Sequence, residues 1–288
     1  MRGFFSIRDF LMKLLVTDID STLSLGSTVS EEVVSACRTL NNSGWQIMIA
    51  TGRTISSCLS HIRQISALDI AIVYDGARVM SANSGMEIMG FELSRDDARE
   101  IMEFSWNLDL DLEIQITGDE IVYCRDSDME TRKFCWETGL ACSTVDSQSK
   151  IIGKIFRVAF WGDTNIIRSF ELTLKDRFRE KFSITRGGDN FLDVLRGGIS
   201  KGYALSELIS RGYIRAPELI IAAGDHMNDF ELLSYADISA APHNCATEVL
   251  KLADIIMPSV EDHGFSFLSK ILIDDDIIKK QYNQRACW

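Results

Sequence analysis

"LLVTDIDSTLS", residues 14–24, runs from an apolar stretch straight into two aspartates and a string of hydroxyls. The segment "KLLVT" (13–17) reads as a buried strand, which places Asp18 and Asp20 where that strand ends. In extended chain, residues i and i+2 point the same way, so the two carboxylates share a face. About 4 Å apart at a protein surface, they repel by roughly 4 kcal/mol at an effective dielectric near 20. A compensating cation is therefore expected beside them.

Outward from this strand the chain alternates strand and helix signals. "SEEVVSACRTLNNSG" (30–44) carries one apolar face of Val33, Val34, Cys37 and Leu40, with Ser30 able to cap its start and Gly44 to stop it. "WQIMIA" (45–50) reads as a strand, "TISSCLSHIRQISA" (54–67) as a helix and "IAIVY" (70–74) as a third strand. Such βαβ units argue for a parallel sheet covered on both faces. The rhythm changes after "YDGA" (74–77). A hairpin over 78–91, helices over 95–108, 128–139 and 164–179, and strands around "LDLEIQIT", "EIVYC", "KIFRVAFWG", "FSITR" and "FLDVLR" describe an α+β insert. From Ser200 the α/β rhythm returns, with a strand at 218–224, further strands near 237–240 and at "DIIMP", and a helix over 244–253. The expected architecture is α/β: a doubly wound, Rossmann-like parallel-sheet core over residues 1–80 and 189–288, split by an α+β insert over 81–188.

Bulk properties narrow the function classes. The 288 residues are 46% hydrophobic and 25% charged, an ordinary globular composition. Thirty Lys plus Arg against 42 Asp plus Glu give a formal charge of −12, with no basic run to track a phosphate backbone, which argues against nucleic acid. The seven cysteines are scattered and never spaced C-x-x-C, so neither a disulfide framework nor a zinc site is indicated, and a reducing cytoplasm is the expected home. No apolar run reaches the roughly 20 residues that cross a membrane. Residues 1–12 read as a leader strand or turn packed on the core.

D-x-D-x-T admits three readings: a calcium loop, a solvated acidic turn and a catalytic pair. Counting from Asp18 places Leu23 where a calcium loop needs Gly and Val29 where it needs Glu, so the first fails. The other two are separated by residues elsewhere. In "TGR" after the second strand, Thr51 offers a hydroxyl and Gly52 permits close backbone approach at a helix start that suits an anion. "GISKG" puts Lys201 in the first turn of a helix, where a cation is unfavourable unless an anion is near. In "GDHMND", Asp225, Asn228 and Asp229 crowd one side of a loop-to-helix entry, again at a strand's carboxyl end.

"DIDST", "TGR", "GISKG" and "GDHMND", in this order on a split α/β domain, resemble the four motifs of the haloacid dehalogenase-like phosphatase superfamily. The large insert preceded by "YDGA" is similar to the Cof-like sugar-phosphatase branch with its α/β cap. The resemblance implies Asp18 as nucleophile, forming an aspartyl-phosphate, and Asp20 as general acid, its proton held by the crowding of carboxylates. It implies phosphate binding by Thr51, Gly52, Lys201 and Asn228, and Mg²⁺ between Asp18, the carbonyl of Asp20, and Asp225. Asp229, Arg53 and Asn244 are the implied supporting residues, and Thr22 braces the loop. The implied reaction is Mg²⁺-dependent hydrolysis of a small phosphorylated metabolite, such as a sugar phosphate. A phosphotransferase or mutase of the same fold, a receiver-like phosphoacceptor and a noncatalytic domain are the alternatives. Two departures concern substrate fit: Asp75-Gly76-Ala77 where the branch has Asn-Gly-Ala, and "SAAPHNCA" (239–246) where it has Gly-x-Ala-Met-x-Asn-Ala. Among other residues, Trp106, Trp136 and Trp161 are expected in the insert's core and His226 in a solvent-facing loop. Arg125, Lys150 and Lys154 are expected as surface charges, with contact to a phosphorylated sugar as the alternative.

Overall fold

The computed structural model describes residues 12–119, 121–125, 128–138, 140–145 and 151–274. The parallel strands β1 (Lys13–Thr17), β2 (Trp45–Ala50) and β3 (Ile70–Val73) are followed by the antiparallel hairpin β4 (Arg78–Ser81) and β5 (Glu87–Gly90). Between the parallel strands lie α1 (Glu31–Asn42), capped by Ser30 Oγ on the Val33 N–H, and α2 (Ile55–Gln64), capped by Thr54. Gly44 follows α1 at φ +83°, a conformation that favours glycine.

The insert follows: α3 (Arg95–Asn107), β6 (Leu112–Gly118), β7 (Ile121–Cys124), α4 (Met129–Thr138), β8 (Ala141–Thr144), β9 (Ile155–Gly162), α5 (Thr164–Phe178), β10 (Phe182–Gly188) and β11 (Phe191–Arg196). The chain then returns through α6 (Lys201–Ser210), β12 (Leu219–Ala223), α7 (Phe230–Tyr235), β13 (Ile238–Pro242), α8 (Thr247–Leu252), β14 (Ile255–Met257) and α9 (Gly264–Ile273). Strand β8 and helix α9 were not anticipated from the sequence. Among the described residues, no helix is long and apolar enough to cross a membrane.

Two sheets result among the described residues. The larger runs β14-β13-β12-β1-β2-β3-β4-β5, the smaller β10-β11-β9-β6-β7-β8. Leu14, Leu15, Val16 and Thr17 are all fully buried; successive strand residues point to opposite faces, so both faces of β1 are covered. Strand order departs in opposite directions from β1, through β2 on one side and β12 on the other. This reversal is the switch point at which open α/β sheets form their ligand crevice. Register aligns the strand ends there, because Thr17 pairs with both Ala223 and Ile49. The residues just beyond, Asp18, Thr51 and Asp225, thus emerge together.

The expected junctions at 80/81 and 188/189 do not coincide with the change of sheet. Strand β5 extends the larger sheet and β11 pairs with β9 in the smaller, so the change falls after Gly90 and after Arg196. A hairpin added antiparallel to an open edge reads as part of an insert from sequence, although its hydrogen bonds belong to the core. The smaller sheet has its own apolar cluster, including Ile114, Val158, Phe160, Phe170 and Leu174. Phe156 and Leu195, however, leave its strands to join the main core. Trp106 packs on the insert's cluster as expected, whereas Trp136 is 85% exposed. An α4 lying on the sheet by one narrow face leaves that indole outside. Lys154 pairs at the surface with Glu87 and Glu92, and the Arg125 guanidinium covers the Trp106 ring. Lys150 and the leader up to residue 11 lie outside the described residues.

The turn after β3 is locked to the start of α6. Gly76 has φ +100°, and a Cβ there would lie 2.2 Å from the Ser200 carbonyl oxygen. Gly76→Ala is therefore expected to cost about 2 kcal/mol or more of unfolding free energy in urea titrations. An unchanged midpoint would contradict this account of how Lys201 is placed.

Candidate active site

Lys201 begins α6, where Ser200 caps the helix through the Tyr203 N–H. Its side chain is 0% exposed. The ammonium donates to Asp18 Oδ1 at 2.8 Å and Asp229 Oδ1 at 2.7 Å, and lies 3.6 Å from Asp75 Oδ1. Burial acts against its charge, but the three carboxylates prevail and hold the lysine pKa well above its ordinary value. The cation expected beside the aspartates is thus Lys201 in the case of Asp18.

Asp18 follows β1 and is anchored by its own N–H to the Ala223 carbonyl at 2.9 Å. Burial, opposed by Lys201 and reinforced by Asp229, Asp20 and Asp225, pushes its carboxyl well above the usual range. Asp225 lies just past β12, where Thr22 Oγ1 donates to its Oδ1 at 3.1 Å, the bracing contact expected of Thr22. Burial and then Asp229 raise Asp225 from the ordinary 3.8 to about 7. Asp229 is fully engaged. Its Oδ2 accepts from the N–H groups of Asp225 and His226, at 3.0 and 3.3 Å, while Oδ1 holds Lys201.

Asp20 is placed differently. Its side chain is 54% exposed and turned to Arg53, which grips both carboxylate oxygens and also donates to the Gly26 carbonyl at 2.8 Å. The repulsion between the two aspartates is thus relieved by two cations, Lys201 and Arg53, and not by one shared ion. Asp20 therefore rests in an ion pair in which Arg53 holds both of its oxygens.

Thr51 is buried beyond β2, its Oγ1 accepting from the Arg53 N–H at 3.2 Å. Gly52 has no room for a side chain, since a Cβ would meet Asp75 Oδ2 at 3.0 Å. Asn228 Nδ2 donates to Asp75 Oδ1 at 2.8 Å. Asn244 lies exposed in the turn after β13 and is not brought into this network, although the Ala246 N–H of the same loop donates to the Asp225 carbonyl at 2.9 Å. His226 is not a solvent-facing residue: its Nδ1 lies 2.8 Å from the Arg186 carbonyl of β10, a tie between core and insert.

Carboxylate oxygens of Asp18, Asp225 and Asp229 all lie within 4.8 Å of one another. Oxygen donors crowded this closely, two of them with raised pKa, suit a hard divalent cation such as Mg²⁺. Since Asp229 spends both oxygens on Lys201 and backbone N–H groups, Asp18 and Asp225 are the carboxylates that fit the ion best.

Three buried residues were not assigned to the site from sequence. Asp75 was noted only as a departure; Arg157 and Asp193 were not singled out. Each is a charge inside an otherwise apolar strand or strand end, in "KIFRVAFWG", "FLDVLR" and "IAIVYDG". That is the signal that finds them.

An α/β core with this carboxylate and lysine constellation at its switch point defines a hydrolase class. A family model for haloacid dehalogenase-like hydrolases matches residues 15–268, and the chain belongs to this family, in its Cof-like branch. A phosphoglycolate phosphatase of Methanoculleus marisnigri is 25% identical over 264 residues, with 91% of this chain and 96% of that protein covered.

 A second relative, YxeH of Bacillus subtilis, aligns over 262 residues. YxeH, which carries a phosphatase name, is 25% identical, with 88% of this chain and 96% of that protein covered. The crystal structure of a haloacid dehalogenase-like hydrolase from Bacteroides thetaiotaomicron superposes with a TM-score of 0.72 at 21% identity, covering 90% of this chain and 98% of that one. It shows the shared fold.

The raised pKa of Asp225 has a consequence for stability. The folded protein keeps this proton up to about pH 7, whereas the unfolded chain releases it near the ordinary 3.8. The folded state therefore binds more protons between those values, and stability falls as pH rises through that window. In metal-free buffer, Asp225→Asn is expected to flatten the decline in urea-unfolding free energy between about pH 4 and about pH 7. An equal slope in the variant would contradict the assignment.

Proposed function

We propose that the protein is a Mg²⁺-dependent phosphatase that hydrolyses a small phosphorylated metabolite, a sugar phosphate or related compound, through an aspartyl-phosphate on Asp18. The observation that carries this reading is the buried Lys201 joined to Asp18 and Asp229 at the switch point, beside Asp225. The phosphatase names of the relatives support it.

Lys201 holds Oδ1 of Asp18, which leaves Oδ2 as the attacking oxygen. As the Asp18–phosphorus bond forms, the bond from phosphorus to the leaving oxygen breaks, and Asp20, freed from Arg53, gives that oxygen its proton. Asp20 then takes a proton from water as the water attacks phosphorus and releases Asp18 with inorganic phosphate. The Thr51 hydroxyl, the backbone at Gly52 and the Lys201 ammonium bind the phosphoryl oxygens. Asn228 supports them from beside Asp75. Asp18, Asp225 and the backbone carbonyl of Asp20 would hold Mg²⁺, which when bound supplies positive charge against the phosphoryl oxygens.

The insert serves as a cap. Arg157 and the carbonyls of Arg186 and Thr138 reach the core at Gly52, His226 and Ser56, so the cap closes on the loops that carry the motifs. Closure excludes bulk water during transfer and brings the insert against the leaving group.

Asp18→Asn is expected to lower turnover of a generic aryl phosphate in excess Mg²⁺ by about a thousandfold or more, with the fold retained by circular dichroism. Full activity in that variant would refute the mechanism.

A further inference from the structure

Arg157 is a guanidinium from the insert that is buried at the floor of the core's phosphate motif. It projects from β9, its side chain is 3% exposed, and its only ion-pair partner among the described residues, Asp193, is itself fully buried at 3.4 Å. Three rings surround it, those of Tyr74, Phe191 and Phe134, at 5.0, 5.5 and 6.0 Å from centroid to guanidinium carbon. Tyr74 belongs to the core and the other two to the insert, so the stack spans the junction. Burying an arginine costs several kcal/mol unless its partners compensate, and a pair at 3.4 Å compensates incompletely. Its shortest polar contact instead crosses units: Nη1 donates to the Gly52 carbonyl at 3.1 Å.

That carbonyl shares a peptide plane with the Arg53 N–H, and the Arg53 N–H donates to Thr51 Oγ1 at 3.2 Å. A peptide is planar, so fixing its oxygen fixes its N–H. With Oγ1 already accepting from Arg53, the Thr51 hydroxyl proton remains available to a different acceptor. The Asp75 carboxylate lies close to the same residue, since a Cβ built on Gly52 would meet Asp75 Oδ2 at 3.0 Å.

We propose that Arg157 is a positioning residue that couples closure of the insert to phosphate binding, by clamping the peptide between residues 52 and 53 and thereby aiming the Thr51 hydroxyl. The proposal rests on the reading of Thr51 as a phosphate ligand. It goes beyond that reading in assigning a role to an insert residue that touches no phosphate. An open insert would release the peptide, leaving Thr51 less well directed.

The test is a double-mutant cycle read by calorimetric binding of inorganic phosphate in Mg²⁺, which needs no turnover. Arg157→Met is combined with Asp193→Asn so that no carboxylate is left buried without its partner, and thermal unfolding establishes that the pair of substitutions folds. We expect phosphate to bind about tenfold more weakly to this variant and to Thr51→Val alike, with no further loss when all three substitutions are combined. With an aryl phosphate, the loss in kcat/KM is expected to fall mainly on KM. Wild-type phosphate affinity in the Arg157→Met/Asp193→Asn variant, or losses that add in the combined variant, would overturn the proposal. Phosphate binding that follows the cycle in a protein without phosphatase activity would leave the proposal standing and remove the phosphatase reading; activity with an unaltered cycle would do the reverse.

Discussion

A single buried ammonium organises this molecule. Lys201 lies between Asp18 and Asp229, at 2.8 and 2.7 Å, with no exposed surface. A charge in that position is costly unless its partners are held in place, and each comes from a different part of the chain. Asp18 requires β1, Asp229 the loop after β12, and Lys201 the start of α6, which Gly76 and Ser200 press against the turn after β3. The core sheet must therefore be complete before the pair can form. Any insertion between β3 and α6 must also return the chain to the same point.

The charge balance around Lys201 defines what the site can accept. Asp18, Asp229 and Asp75 converge on one ammonium, with Asp225 close to Asp18 and Asp229, while Asp20 is satisfied separately by Arg53. The carboxylates near Lys201 outnumber it, and burial, reinforced by Asp229, raises the Asp225 pKa to about 7. In the proposed function a divalent cation would relieve this excess and supply positive charge for a phosphate. Asp20 occupies the rim in a resting ion pair, so the proposed proton transfer requires Arg53 to let go.

Much of this was legible in the sequence. Asp18, Thr51, Lys201 and Asp225 each follow a strand or open a helix, and local patterning places such ends without knowledge of tertiary contacts. What local patterning could not show is which partner each charge would find. Asp18 and Asp20 looked like one repelling pair, but the strand stops at Thr17 and the two side chains part. Arg157, Asp193 and Asp75 lie 36 or more residues from one another except through the fold. Pairing of β11 with β9 brings Asp193 to Arg157, and the meeting of insert and core brings Asp75 to Asp193. Sheet membership of β5 and β11 was hidden for the same reason, because hydrogen bonding to a neighbouring strand leaves no mark on the strand's own sequence. Trp136 illustrates the converse: a large apolar side chain need not be buried when its helix presents only one face to the sheet.

The most direct measurement is covalent trapping of the intermediate. The enzyme is mixed with an aryl phosphate and Mg²⁺, quenched in acid during turnover, reduced with borohydride and mapped by peptide mass spectrometry. The account predicts reduction at the Asp18 side chain, dependent on substrate and absent from Asp18→Asn. Steady hydrolysis with no reduction at Asp18, or reduction at another carboxylate, would contradict it.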